Sequence, residues 1–190
     1  EIVKERLQKE LPDRRFFFTF EPGGTEVGNE IRVILQKIRD HDMSVVTDIL
    51  IYIASRIEHL YKVIIPALTA GIDVISDRYE ASTYAYQIYG RGHEEYLPLL
   101  GELNKLVKIR KPDFYILLDQ DPENTRERAN HGRADAKSRY DIKPIEFYVR
   151  VRNAYFEFMK TQNCRTVYVG LKTPEQVADE VMTHLRELLG

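Results

Sequence analysis

A single cysteine, Cys164, stands among 190 residues, so no internal disulfide framework exists and the chain suits a reducing compartment. No apolar run approaches the roughly 20 residues needed to span a bilayer. The opening Glu1-Ile2-Val3-Lys4-Glu5-Arg6 is charged where a secretory signal would be apolar. A cytoplasmic location with no membrane partner is therefore expected. Basic excess is also missing: 28 Lys+Arg against 30 Asp+Glu give a net charge of −2, which argues against a nucleic-acid coat and leaves room only for a locally basic pocket. No Gly-Lys pair occurs, so the phosphate loop G-x-x-x-x-G-K-[ST] is absent from residues 1–190. Gly90-Arg91-Gly92 lacks the third glycine of a dinucleotide fingerprint, and His93-Glu94-Glu95-Tyr96-Leu97 has leucine where a zinc-protease helix needs its second histidine.

What is present is an alternation of strands and helices. Residues 2–11 put Ile2, Val3, Leu7 and Leu11 on one helical face, already under way at the first residue without a cap. Phe16–Phe20 reads as a strand, Glu21-Pro22-Gly23-Gly24-Thr25 as a turn, and Val27, Ile31, Ile34 and Ile38 mark the next helix. Thr47–Ala70 is the longest periodic stretch, with a kink expected at Pro66 and an end at Gly71. Ile72–Ser76, Phe114–Leu118 and Thr166–Val169 read as buried parallel strands, the first two emptying into polar residues. Helices are expected over about 97–107, 122–131, from Pro144 with Phe147, Val151, Tyr155 and Phe158 inward, and from Pro174 to the end. Such alternation predicts one α/β domain over 1–190, a three-layer sandwich around a parallel sheet. Residues 132–140 are polar, basic and poor in core residues, so a mobile lid is expected at about 130–143.

Chemistry concentrates after the strand at 72–76, where open α/β sheets collect ligands. Arg78 could grip an oxyanion with its planar fork while Asp77 holds a hydrated divalent ion or orients the arginine; an internal ion pair is the plainer alternative. Ser82, Thr83, Tyr86 and Gln87 follow within a few turns. Tyr52 and Arg56, four apart and off the apolar stripe of the long helix, could together hold a flat heterocycle, or could be a surface tyrosine and a solvated arginine. Arg126, Arg128, Arg133, Lys137 and Arg139 could neutralise a polyphosphate or form a solvated charge run. Asp141 could bind metal or serve the next helix's N-terminus.

Five of these stretches, in order, resemble the bacterial-type thymidylate kinases, which have a P-loop nucleoside monophosphate kinase core. Phe18-Thr19-Phe20-Glu21-Pro22-Gly23-Gly24-Thr25 is similar to the family's T-R-E-P-G-G-T, with a cis bond before the proline. Ile51-Tyr52-Ile53-Ala54-Ser55-Arg56 resembles F-x-A-x-R, Asp77-Arg78-Tyr79 resembles D-R-[YH], Ser82 through Gly92 resembles S-[STN]-x-A-Y-Q-x-x-G-R-G, and Arg139-Tyr140-Asp141 resembles R-[IFY]-[ED]. The resemblance implies transfer of the γ-phosphoryl of ATP to dTMP with Mg²⁺, within a homodimer formed through the long helices. It implies that Pro22, Tyr52, Arg56, Arg78, Ser82, Thr83, Tyr86 and Gln87 bind the acceptor, that Arg78, Arg133 and Arg139 act in catalysis, that Arg126 and Gly170 lie at the donor, and that Asp77 and Asp141 organise the metal. Alternatives on the same scaffold are a silent nucleotide-binding protein and a kinase for another deoxynucleoside monophosphate.

Three departures from the family pattern qualify these expectations. Phe20 stands where the family has arginine, and Ser138 where an acidic residue precedes the lid arginine. The family's first strand and phosphate loop should lie just before Glu1, so the sequence is expected to be N-terminally incomplete. Without its middle strand a parallel sheet would leave rows of backbone groups unpaired, at about 1–3 kcal/mol for each buried unsatisfied group.

Overall fold

The computed structural model of the chain describes residues 1–131 and 138–189; Arg133 and Lys137 of the expected lid lie outside the described residues. Helix α1 (Ile2–Glu10) leads through a turn to β1 (Phe16–Phe20) and α2 (Glu26–Gln36). Thr25 opens α2 by accepting a hydrogen bond from Gly28 N at 2.9 Å, and Ser44 opens α3 (Val45–His59) by accepting from Thr47 N. The long helix read from periodicity is present but not uniform. It runs as α3, a π-helical turn at Leu60–Ile64 and α4 (Ile65–Thr69), and the wider turn falls just before Pro66. Pro66 has no N–H to give and its ring would clash with the carbonyl four residues back. One extra residue per turn, with Ile65 N bonded to Leu60 O, moves that carbonyl aside.

β2 (Asp73–Asp77) follows, then a single turn α5 (Glu80–Ser82), a π-helical segment Thr83–Tyr89 and α6 (Leu97–Leu106). The chain ends with β3 (Tyr115–Asp119), α7 (Pro122–His131), α8 (Ile145–Met159), β4 (Cys164–Tyr168) and α9 (Pro174–Leu189). β1 and β2 pair in parallel from Phe16↔Asp73 to Phe20↔Asp77, and β3 and β4 from Tyr115↔Cys164 to Asp119↔Tyr168. The strands thus form two parallel pairs rather than one ladder, with β2 and β3 not bonded to each other.

One apolar core serves both pairs. Leu7 of α1, Val167 of β4 and Val181, Met182 and Leu185 of α9 are buried, with Phe16, Phe18, Ile75 and Ile116 packed onto them, so α1 and α9 cover the same face of both. On the opposite face of β2, Val74 meets Leu60, Ile64 and Tyr79. Further out, α3 packs on Ile88 and α6, while α8 packs Phe147, Val151 and Ala154 against Ala85. Gly90 permits that second approach, since a Cβ there would lie 2.7 Å from the Phe147 ring and 2.8 Å from Val151. The helices over the outer face therefore converge on the carboxyl ends of β1 and β2, where the polar residues of the sequence lie.

Candidate active site

The carboxyl end of β1 continues into Glu21, whose N–H bonds Asp77 O at 2.9 Å, and into a cis Glu21–Pro22 peptide. Gly24 follows with φ +79°; a Cβ there would sit 2.7 Å from His59 Cδ2 and 2.8 Å from Thr19 Oγ1. This tight turn lets four buried polar side chains meet. Thr19 Oγ1 lies 2.7 Å from His59 Nε2, His59 Nδ1 2.9 Å from Glu21 Oε1, and Arg56 Nε donates to Glu21 Oε2 at 2.8 Å. Arg56 is 1% exposed, so the solvated alternative for it does not hold. Its guanidinium lies over the Tyr79 ring at 5.1 Å and its Nη2 donates to Thr83 Oγ1 at 2.8 Å, while Nη1 has no partner.

The π-helical segment sets the opposite wall. About 4.4 residues per turn bring Thr83 and Gln87 onto one face. Both are buried, and Gln87 Nε2 donates to the Tyr140 hydroxyl at 2.7 Å while its Oε1 is buried without a partner. Tyr52 is buried as well, its hydroxyl 3.1 Å from that of Tyr140, and Tyr140 meets Tyr86 edge-on at 5.3 Å. Burial holds the Tyr52 and Tyr140 hydroxyls above the usual phenol range, which keeps them protonated donors.

Arg78 stands at the rim with φ +70°, a left-handed conformation that a non-glycine residue adopts at a cost, as often found where a site requires it. Its guanidinium is exposed, lies 4.9 Å over the Tyr86 ring, and points Nη1 and Nη2 toward the Tyr155 and Tyr86 hydroxyls at 3.4 and 3.5 Å. Such long contacts leave the fork largely free for an anion. Ser82 Oγ is 2.7 Å from Tyr155 OH, whose pKa burial pushes up to about 12. Asp77 is exposed beside Arg78, and Asp141 Oδ2 accepts from Ser138 N at 2.7 Å. Ser138, where the family pattern has an acid, closes this small turn by accepting from Tyr140 N at 3.3 Å.

Pro22, Tyr52, Arg56, Arg78, Ser82, Thr83, Tyr86 and Gln87 thus gather around the ends of β1 and β2. Asp77, the last residue of β2, lies with them and Arg139 reaches them through the Tyr140 hydroxyl, whereas Arg126 and Gly170 follow β3 and β4. Arg126 is exposed on α7, and Gly170, with φ +50°, lies beyond β4, its carbonyl 3.4 Å from Gln120 Nε2. Arg139, expected as a mobile arginine, is 4% exposed and bonded to Asp48 and to the Tyr140 hydroxyl. Phe20 is not without a cation, since Arg32 lies 5.3 Å over its ring and donates to Pro22 O at 2.9 Å. Sequence reasoning passed over Thr19, Glu21, His59, Asp48 and Tyr155. The signals were placement only: Thr19 and Glu21 stand within the motif around Pro22, Asp48 and His59 lie on α3 one turn from Tyr52 and Arg56, and Tyr155 on α8 read only as an inward aromatic.

Parallel strands wrapped by helices, with buried donors and acceptors and an exposed arginine at the strand ends, form the fold of a P-loop nucleoside monophosphate kinase. Comparison with known proteins narrows the class. The family model "Thymidylate kinase" matches residues 1–181. The thymidylate kinase of Maridesulfovibrio salexigens is 37% identical over 176 residues, 89% of this chain and 80% of that protein. That of Carboxydothermus hydrogenoformans is 36% identical over 189 residues, 100% of this chain and 89% of the relative. The crystal structure of the thymidylate kinase of Ehrlichia chaffeensis superposes with a TM-score of 0.73 at 28% identity, covering 97% of this chain and 88% of that one. The chain belongs to the thymidylate kinase family.

Proposed function

We propose that the protein phosphorylates dTMP: an oxygen of the acceptor 5′-phosphate attacks the γ-phosphorus of ATP, the bond from that phosphorus to the β–γ bridging oxygen breaks, and dTDP and ADP leave. Family membership supports the activity, with ATP as donor and Mg²⁺ as cofactor. One structural observation supports the choice of base. Arg56 Nη1 on α3 and Gln87 Oε1 on the π-helical segment are a buried donor and a buried acceptor without partners. Buried polar groups left unpaired cost free energy until a ligand supplies the match. A 4-keto pyrimidine with N3–H offers an acceptor and a donor in that order; cytosine reverses both.

The reaction needs little covalent work from the protein, so positioning and charge neutralisation carry the rate. Arg78 holds the acceptor phosphate, Ser82 and Tyr86 border the sugar, and Pro22, Tyr52 and Thr83 shape the base site. Arg133 supplies a further cation, Arg139 fixes the segment before α8, and Arg126 and Gly170 border the donor. Among the described residues no three of His, Cys, Asp and Glu gather as a metal site. Mg²⁺ suits such a setting, since it uses one or two carboxylates and takes the rest of its shell from phosphates and water. Asp77, exposed beside Arg78, fits that role; Asp141 has one oxygen already held by Ser138 N. Mg²⁺ held by Asp77 would offset the negative charge developing in transfer.

A cytoplasmic homodimer completes the reading. α2 packs on α3, and with the π-helical turn after α3 they leave Val27, Ile34, Leu50 and Tyr61 exposed, apolar surface of the kind that pairing covers. Tyr61→Asp should then shift sedimentation from dimer to monomer; an unchanged profile would exclude this face. The central test is calorimetric titration with dTMP and dCMP, followed by Mg²⁺- and ATP-dependent turnover. Tight dTMP binding, at least tenfold weaker dCMP binding and formation of dTDP are expected. Failure to bind dTMP, or equal binding of dCMP, would overturn the assignment.

A further inference from the structure

The acceptor face of Gln87 is useful only if its amide keeps oxygen toward the base, and an amide can turn over. Which way it points is fixed by its partners, because the oxygen only accepts and the nitrogen only donates. The partner of Gln87 Nε2 is the Tyr140 hydroxyl, at 2.7 Å. A tyrosine hydroxyl can donate or accept, so on its own it would tolerate either amide orientation. Here it is not on its own. Arg139 Nη2 donates to the same oxygen, and arginine has no acceptor to offer in return. With that oxygen accepting from Arg139, a Tyr140 proton given to the Tyr52 hydroxyl at 3.1 Å leaves the remaining lone pair for a donor, which is the amide nitrogen of Gln87.

Arg139 is in turn held by Asp48, which is 0% exposed in the first turn of α3. Asp48 Oδ1 accepts from Arg139 Nη2, and Oδ2 accepts from Arg91 Nη1 at 3.1 Å. Arg91 Nη2 is anchored on Met43 O at 2.7 Å, and Arg139 N on Gln36 O at 3.1 Å, so three separate segments meet at one carboxylate. A buried ion pair need not stabilise a fold more than apolar packing would. Its use here lies in direction: Asp48 aims Arg139 at Tyr140.

We propose that Asp48 is a positioning residue for base choice: through Arg139 and Tyr140 it fixes the Gln87 amide with its oxygen toward the nucleobase, so that the site accepts an N3–H pyrimidine and rejects one with an N3 lone pair. This rests on the reading of the cluster as the dTMP site. When the relay is cut, the Tyr140 hydroxyl becomes free to donate, Gln87 can reverse, and its NH₂ group then suits cytosine. Discrimination is lost while the phosphate grip of Arg78 stays in place.

Calorimetry with dTMP and dCMP on the full chain tests this. Asp48→Asn and Tyr140→Phe should each shrink the ratio of dCMP to dTMP dissociation constants at least tenfold. The double variant should shrink it no further than the stronger single one, since residues of one relay are not additive. Asp48→Glu should restore part of the ratio. Equal weakening of both nucleotides by Asp48→Asn, or additive effects in the double variant, would overturn the relay and reduce Asp48 to a structural ion pair. If Asp48→Asn fails to fold, Tyr140→Phe and Arg139→Lys carry the same ratio test, and an unchanged ratio in both would overturn it. A wild type that does not prefer dTMP would instead overturn the base assignment itself, before any variant is compared.

Discussion

The two ends of this site are built differently. Around the tips of β1 and β2, Glu21, Arg56, His59 and Thr83 are buried and joined by short hydrogen bonds drawn from α3, the π-helical segment and the turn after β1, and Gln87 is buried beside them on Tyr140. Around the tips of β3 and β4 the only comparable contact among the described residues is Asp119, gripped by Arg152 through two bonds of 2.6 and 2.7 Å, while Arg126 and Leu171 are exposed. The contrast fits the task proposed for each end. Choosing among bases of similar size requires unpaired donors and acceptors in a dry wall, where a wrong match costs the full desolvation of a polar group. Gripping a polyphosphate requires charge within reach, which exposed arginines supply.

Variants can break or sharpen this contrast. The largest effect is expected from Arg78→Ala, which removes the guanidinium proposed to hold the acceptor phosphate: kcat/KM for dTMP should fall about a thousandfold, the scale of a lost phosphoryl-stabilising arginine. The KM for ATP should stay within about threefold. A loss below tenfold would take Arg78 out of the acceptor site. Gln87→Leu comes next. It deletes the buried acceptor without much change of volume, so dTMP affinity should drop about 10- to 100-fold, as for an unpaired buried group, with dCMP affected less. Tyr155→Phe should act more gently, lowering kcat/KM for dTMP about three- to tenfold by freeing Arg78 and Ser82 from a shared hydroxyl. Its melting temperature and its KM for ATP should barely change; a fall in melting temperature without a kinetic effect would make Tyr155 a packing residue only.

The contrast also explains what could be read from sequence. The Asp77-Arg78 end of β2, the glycine turn after Pro22 and the hydroxyl-rich stretch from Ser82 were legible because strand ends, φ-permissive glycines and polar residues after an apolar run leave local signatures. Arg56 was legible as a candidate, though not its burial: a charged residue off the apolar stripe looks solvated until Glu21, 35 residues earlier, is known to meet it. Asp48 was illegible for the same reason at longer range, its partner Arg139 lying 91 residues away. Tyr155 read as one more inward aromatic, since periodicity reports which way a side chain faces and not what its hydroxyl touches. Both π-helical turns escaped notice, because five to seven residues are too few to separate a period of about 4.4 from one of 3.6. Pairing of the strands two and two had its signal only in the middle strand that the family resemblance implied to be missing, since an apolar run announces a strand without naming its neighbour.

The smallest expected effect tests the donor end. Arg126 is exposed near the start of α7 and makes no hydrogen bond from its side chain among the described residues, so its removal should leave the fold alone. Surface substitutions of this kind usually change stability by no more than about 0.5 kcal/mol. If Arg126 borders the donor, Arg126→Ala should raise the KM for ATP about two- to fivefold and leave dTMP affinity unchanged, because a long, solvated side chain contributes little to binding in high dielectric and is screened by salt. The increase should therefore shrink further as ionic strength rises. A larger, salt-independent effect would mean that Arg126 becomes buried when the donor binds, and the donor end would then be as closed as the acceptor end. No effect at any salt would remove Arg126 from the site and leave donor recognition to other residues.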